Sequence, residues 1–493
     1  MSRRCLFPLC VLLLLAVVQG ARAADSPAAK ATDPAAALAG RVWAISEIVL
    51  DRHMDPPARQ AMFLAAAQGL YQTSGRALPT DLARRVSTLT TKEQFTDLLR
   101  DAWPKDAQTA EAITKFENGA LNALMIRLPG GGRLTPPEEV KIADQLRGNR
   151  YVGIGVQIRT NEKEKRPQLV TPLRGGPAHR AGLRPGDLLI EVDGKSTEGE
   201  RLQPLIQRLR GDEGTTVTLV VRQPGEKETR TVKLTRTVVP FENVQGYRRA
   251  NAEKVWDFRI EPDSPIAYAT VRSITSSTLH ELRQLDRRLR ADGAKALVLD
   301  LRLSAGGELQ HCALVADGLL DSGTLWRVRD ARGQVKERKA DRDCLFRDMP
   351  IVVLVSGPVR GVPWLAAALQ DNGRAVIVGE SLPLPPFAPS ELDLPDGGKL
   401  LIATGRLERA RKPAPATDPP DPEAEPDWML QPDHVVTMSR KQRGALADWF
   451  QAKNYTELPK GTRDEPPEDP GVAKAVELLR AKLKESSSTK KDR

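Results

Sequence analysis

The stretch Ile351–Glu380 has the outline of a nucleophile site. An apolar run, Ile351–Val355, leads through a Gly/Pro turn into an apolar helical segment, Trp364–Leu369, and a second apolar run, Ala375–Val378, follows. A strand turning sharply into a helix can present a hydroxyl for acyl transfer. That chemistry also needs a base for the hydroxyl proton and backbone N–H donors for the oxyanion. The turn here reads Val359, Arg360, Gly361. No Ser or Thr occurs from Gly357 to Leu369, and the flanking Ser356 and Ser381 have no Lys or His beside them in sequence. A guanidinium is neither a nucleophile nor, in a protein, a base. The frame is therefore present without its reacting groups, and this absence separates an enzyme from a binding protein.

Other chemistry is sparse. Two of the four cysteines, Cys5 and Cys10, lie in the N-terminal apolar run; Cys312 and Cys344 remain. In an oxidising compartment these two can pair, or they can stay apart as small apolar side chains. The five histidines are isolated, with His179 and His311 reading as surface or helix-side residues. No Cys/His spacing suggests a metal site, and no metal or cofactor is expected. The net charge of +10 comes from bases scattered among acids, and aromatic residues make up only 4%. That pattern gives no support to nucleic-acid binding and is compatible with mild attraction to anionic envelope surfaces.

The N-terminus reads as an address. Arg3 and Arg4 precede an apolar run from Cys5 to Val18, and Ala21-Arg22-Ala23 offers small residues at cleavage spacing. This is a secretory signal peptide, residues 1–23, expected to be cut after Ala23 and to deliver the chain across the inner membrane to the periplasm. Its loss leaves a net charge of +7, because Arg3, Arg4 and Arg22 go with it. The run is shorter than the roughly 20 apolar residues of a membrane span, and nothing later is long and apolar enough to make one.

The chain divides by pattern. Residues 24–38 are rich in Ala, Pro and Asp and read as disordered, and 39–148 carry helical periodicity punctuated by Pro56-Pro57, Pro79 and Pro129-Gly130. From residue 149 to 238 the period changes to short strands. Residues 239–455 alternate strands and helices, including the continuously apolar strand Ala296–Leu301, which should be buried on both faces. An exposed Pro/acid insertion is expected at 411–427. Residues 456–493 read as a linker, a helix from Pro470 to Lys484 and a disordered tail. The fold class is α+β and multidomain: a helical N-terminal part, a β-sandwich-like module with short helices, and an α/β core.

Gly176-Pro177-Ala178, Ala181-Gly182-Leu183, Pro185-Gly186-Asp187 and Val192-Asp193-Gly194, followed by a helix and two strands, resemble a PDZ domain in the permuted order of bacterial proteases. The resemblance implies capture of extended peptides or protein C-termini by a glycine loop, Val152, Gly153, Ile154, Gly155 and Val156. Leu205 and Leu209 would line its side-chain pocket.

The third block resembles the C-terminal processing, or tail-specific, serine peptidases. Asp300-Leu301-Arg302 followed by Gly306-Gly307 matches one family element, and Ala366-Ala367-Ala368-Leu369-Gln370-Asp371-Asn372-Gly373 leading to Val378-Gly379-Glu380 matches another. By this resemblance Arg360 takes the position of the serine nucleophile and Pro385 that of the lysine base. Asp371 keeps the third polar position, and Gly306, Gly307 and Gly361 stand where oxyanion donors lie; the favoured reading of Asp371, Gly306 and Gly307 is structural, Asp371 capping a helix end or turn and the glycines permitting a tight bend. The expectation is a periplasmic pseudopeptidase that binds peptides or C-termini, with an active protease or an envelope protein as a further partner. An active endopeptidase with a relocated site and a purely structural envelope protein are the alternatives.

Overall fold

The structure, a computed structural model, describes residues 33–105, 109–140, 144, 150–240, 242–250, 255–341, 343–357, 361–411, 429–453 and 466–489. The expected signal peptide, nearly all of the insertion expected at 411–427 and the first residues of the expected 456–493 linker lie outside the described residues.

Five helices form the N-terminal part: Pro34–Arg52, Arg59–Ser74, Leu82–Ser87, Lys92–Ala102 and Ala110–Arg127. The first begins inside the stretch expected to be disordered. The Asp33 carboxylate caps it by accepting from the Ala35 N–H at 3.0 Å, Pro34 occupies the first turn, and Ala35 and Leu38 are buried. A cap, a pre-set φ and two apolar anchors outweigh an Ala/Pro-rich composition. Phe63 and Phe95 stack at 4.1 Å in the bundle core. Leu394, Leu400 and Ile402 complete that core from a neighbouring sheet. This sheet joins Arg133–Thr135, Lys399–Arg409, Thr324–Asp330 and Val335–Lys339, with Phe387–Asp393 paired to the long strand. Arg133–Thr135 falls within the expected helical region; its pairing with Lys399–Leu401 is a long-range contact that no local pattern announces.

The PDZ module is an antiparallel sheet ordered Val156–Asn161, Arg166–Pro172, Leu188–Val192, Thr216–Arg222, Arg230–Thr235. Helix Leu202–Leu209 packs beside the edge strand Val156–Asn161. Strand Thr237–Pro240 leaves the module and pairs with Arg150–Gly153.

The core is a six-stranded sheet ordered Val244–Gln245, Ile266–Val271, Ala296–Asp300, Ile351–Val355, Ala375–Gly379, His434–Val435. All neighbours but the first pair run parallel. The strand Ala296–Asp300 is buried throughout, as a central strand covered on both faces must be. One face packs helices Thr278–Ala291, Leu309–Leu319 and Val362–Asp371. The other packs Arg440–Ala452 and Pro470–Thr489 through Trp449, Phe450, Val472 and Leu479. The last helix continues to Thr489, through part of the tail expected to be disordered.

Candidate functional site

Parallel strands align their carboxyl ends, and ligands of open α/β sheets bind along that crest. Here the crest gathers Ser304–Gly307, the turn after Val355, and the stretch after Gly379. Of the residues singled out from sequence, Gly306, Gly307 and Gly361 lie on this crest. Arg360, with Pro358 and Val359, lies outside the described residues.

Gly361 opens helix Val362–Asp371 with φ 73°, a conformation that suits glycine. A Cβ there would come within 2.5 Å of Cys312 Sγ and 2.6 Å of the Gly307 carbonyl oxygen. The loop thus packs the Gly307 carbonyl oxygen, an acceptor, against Gly361, one of the expected oxyanion-donor positions. The Gly306 N–H donates to Ser304 Oγ at 3.1 Å, and its carbonyl accepts from Ile274 N at 2.9 Å. A Cβ on Gly307 would stand 2.3 Å from the Ile274 carbonyl oxygen, so close backbone packing accounts for this glycine. Gly361→Ala is expected to destabilise the chain by about 1–3 kcal/mol, because backbone as well as side chain obstructs the methyl. Adding Cys312→Ala should recover only part of the loss in a denaturant midpoint, since the Gly307 oxygen stays in place.

Pro385, at the expected base position, is tied to this helix: Trp364 Nε1 donates to its carbonyl oxygen at 2.9 Å. Trp364 in turn meets Trp326 edge-on, centroids 6.2 Å apart. Asp371 is engaged elsewhere. Both its oxygens accept from Arg409 Nε, at 3.1 and 3.2 Å, and the Arg411 N–H donates to it at 3.3 Å. It clamps the end of the helix to strand Lys399–Arg409. Ser381 Oγ donates to Gln431 Oε1 at 2.6 Å. Cys312 is fully buried, and burial pushes its thiol up to about 12, which leaves an unreactive thiol. Cys312 and Cys344 are unpaired, and His311, expected at the surface or a helix side, is buried in its helix.

In the PDZ module, the Ile154 carbonyl accepts from Ala178 N and the Gly155 carbonyl from Leu173 N, both at 2.9 Å. These bonds dock the Gly153–Val156 loop onto the Gly-Pro-Ala turn. Gly155 has φ 70° and packs on Val239. Val152 is buried in the strand before the loop, and Val156 is half buried. Leu205 and Leu209, expected to line the side-chain pocket, lie in the module's core. Both are fully buried with Ile154, Leu169 and Leu219, because their i,i+4 spacing is the helix's inward stripe. The half-buried apolar positions of these two elements are Leu202 and Ile206 on the helix and Val156 and Ile158 on the strand.

Behind the crest lies a polar network that motif matching did not resolve. Tyr268 Oη donates to Asp300 Oδ2 at 2.6 Å, and Arg302 Nε and Nη2 donate to the same carboxylate at 3.0 and 2.7 Å. The Arg302 fork also holds Asp469, at 2.8 and 2.7 Å. The side chain of Lys453 is buried nearby, 3.9 Å from the Trp449 ring centroid and 4.0 Å from that of Phe450. Its sequence surroundings, Trp449-Phe450-Gln451-Ala452-Lys453, carry an aromatic pair one turn upstream, the only local hint of such a cage.

Comparison with known proteins agrees with this arrangement. Residues 265–412 match the model of peptidase family S41, and residues 170–223 match that of a PDZ domain. A carboxyl-terminal-processing protease of Picosynechococcus is 32% identical over 56% of this chain and 64% of its own length. One from Synechocystis is 29% identical over 56% of this chain and 62% of its own length. The chain thus spans less than two thirds of these relatives. A solved photosystem II D1 C-terminal processing protease is 24% identical, covering 77% of this chain and 94% of that one, with a TM-score of 0.37.

Proposed function

From the premise that the chain belongs to the C-terminal processing peptidase family with a PDZ domain, we propose that it is a catalytically inactive member that binds extended peptides or protein C-termini. The observation that carries this reading is the emptied turn. Gly357–Leu369 contains no Ser or Thr, and Gly361, one of the expected oxyanion-donor positions, has φ 73° and packs against the Gly307 carbonyl oxygen. By the resemblance, Arg360 and Pro385 replace nucleophile and base. Removing such a nucleophile costs on the order of a million-fold in turnover. The chain works in the periplasm after export, directed there by residues 1–23. No helix among the described residues is long and apolar enough to cross a membrane.

The PDZ module keeps the parts that peptide capture requires: a glycine loop, an edge strand and a helix beside it. A fluorophosphonate probe is expected to leave the chain unlabelled under conditions that label an active relative, and C-terminally tagged unfolded substrates are expected to stay intact. Peptides with free C-termini should bind saturably in calorimetry. A stoichiometric adduct on any serine would establish a relocated site instead, and absence of saturable binding would favour a purely structural role.

A further inference from the structure

Residues 149–238 hold 17 Lys and Arg against 11 Asp and Glu, a net charge of +6, while the chain without residues 1–23 carries +7 in all. The PDZ module thus holds nearly all of the excess positive charge, and the rest of the chain is close to neutral. Such an asymmetry acts on whatever the module binds. The charge is also placed. Strand Val156–Asn161 is an outer strand of the module's sheet and begins at the Gly153–Val156 loop. Its far end turns through residues 162–165 into strand Arg166–Pro172. The segment before helix Leu202–Leu209 meets that turn, since the Gly199 N–H donates to the Lys165 carbonyl at 2.9 Å. Arg159, Lys163, Lys165 and Arg201, all exposed, lie on the strand end and on the two segments that meet there. The acids of these segments are mostly paired. Glu164 binds Arg222 at 2.8 Å, Glu200 binds Arg208 at 2.7 Å, and Glu198 binds Arg166. That leaves Glu162 against the four exposed bases.

An extended peptide whose terminal carboxylate sits at the glycine loop would add to this edge antiparallel. Its last residue would lie level with Val156 and its upstream residues would run toward Asn161. At about 3.4 Å per residue, the positions roughly three to six places before the terminus pass Arg159 and the turn. We propose that the module selects protein C-termini that carry acidic residues at those upstream positions. This rests on the peptide-binding reading above and adds to it the class of peptide. Each exposed charge pair is weak alone, but several around one strand end act together. A field of one sign also speeds encounter, and it fades with salt, whose screening length is about 10 Å at 0.1 M. Bases at the same peptide positions are repelled, so the selection works against basic C-termini as well as for acidic ones.

The test uses the full chain and acetylated peptides that share one apolar tripeptide at a free C-terminus and differ in a run of Glu, Gln or Lys just upstream. At about 0.05 M salt the Glu peptide is expected to bind about fivefold tighter than the Gln peptide, and the Lys peptide weaker than either. The Glu-to-Gln ratio should fall below about twofold at about 0.5 M salt. Lys163→Glu combined with Arg201→Glu should abolish or reverse the order. Both side chains are exposed and lie outside the module's core, so the fold is kept. Lys336→Glu combined with Arg338→Glu makes the same change in net charge on an exposed strand of another sheet and should leave the order intact. Equal affinity for the Glu and Gln peptides, or an order that survives the Lys163/Arg201 change, overturns the selection and leaves C-terminal binding standing. If no peptide binds saturably, the peptide-binding reading falls and the selection falls with it. Anionic vesicles that bind the wild type and not the Lys163/Arg201 variant, with no preference among peptides, would assign the basic end to a membrane surface instead.

Discussion

Arg302→Leu is expected to lower stability by roughly 3–5 kcal/mol, the cost of removing one partner from a buried ion pair. The chain built around this side chain shows why. Arg302 and Asp300 are buried, their side chains 3% and 1% exposed, and Asp469 is buried beside them. Burial pushes the Asp300 carboxyl up, yet the charge and hydrogen bonds of Arg302, with the Tyr268 hydroxyl, hold it below its ordinary value. The second arm of the fork reaches Asp469, whose Oδ1 accepts from the Gly471 and Val472 N–H groups at 3.0 and 3.1 Å. Arg302 thereby fastens the cap of helix Pro470–Thr489 to the central strand, 167 residues away in sequence. Leucine would strand both carboxylates. Lysine is not expected to rescue the loss, because one ammonium cannot reproduce four fork contacts. Urea denaturation measures the cost, and limited proteolysis should cut the last helix first. A wild-type midpoint would show that Arg302 does not hold that helix.

This pair also shows what a sequence motif conveys and what it conceals. Asp300-Leu301-Arg302 was legible as a landmark of the peptidase block, and the apolar strand before it was legible as buried on both faces. That the acid and base of the motif serve each other and the C-terminal helix was not legible, since Asp469 lies far along the chain. Asp371 makes the same point. A structural role at the helix end was legible from its place in the motif, but its partner was not: Arg409, 38 residues on, claims it. The helix leucines of the PDZ module were assigned from the resemblance. Their i,i+4 stripe belongs to the core, and Leu202 and Ile206 beside it are half buried. Short-range features such as the glycine turn at Gly361 follow from local chemistry. The orientation of the Gly307 carbonyl against that turn depends on how Ile274 and Gly306 pair, a contact between two loops that follow different strands.

The second large effect concerns pH. Wild-type stability is expected to rise from pH 6 to pH 9 relative to Lys453→Met. The amine donates to the Gly246 and Tyr247 carbonyls at 3.2 and 3.1 Å inside its aromatic cage. Burial, followed at a distance by Arg272 and Arg249 and opposed by Asp300, lowers its pKa from 10.5 to about 6. Above about 6 the folded chain lacks a proton that the unfolded chain keeps until near 10.5, so unfolding takes up a proton and raising the pH disfavours it. Below about 6 both states are protonated, and the penalty for charging the buried amine is full and constant. Three pH units within the window correspond to at most about 4 kcal/mol. Ring contacts that favour the ammonium bring the expected change to about 2 kcal/mol. Methionine keeps the length of the side chain and removes the titration. It also leaves two carbonyls without a donor, but that cost does not vary with pH, so the slope of the difference isolates Lys453. Urea midpoints for both proteins at pH 6, 7.5 and 9 measure it. Parallel profiles would mean that the amine stays charged and hydrated across the window.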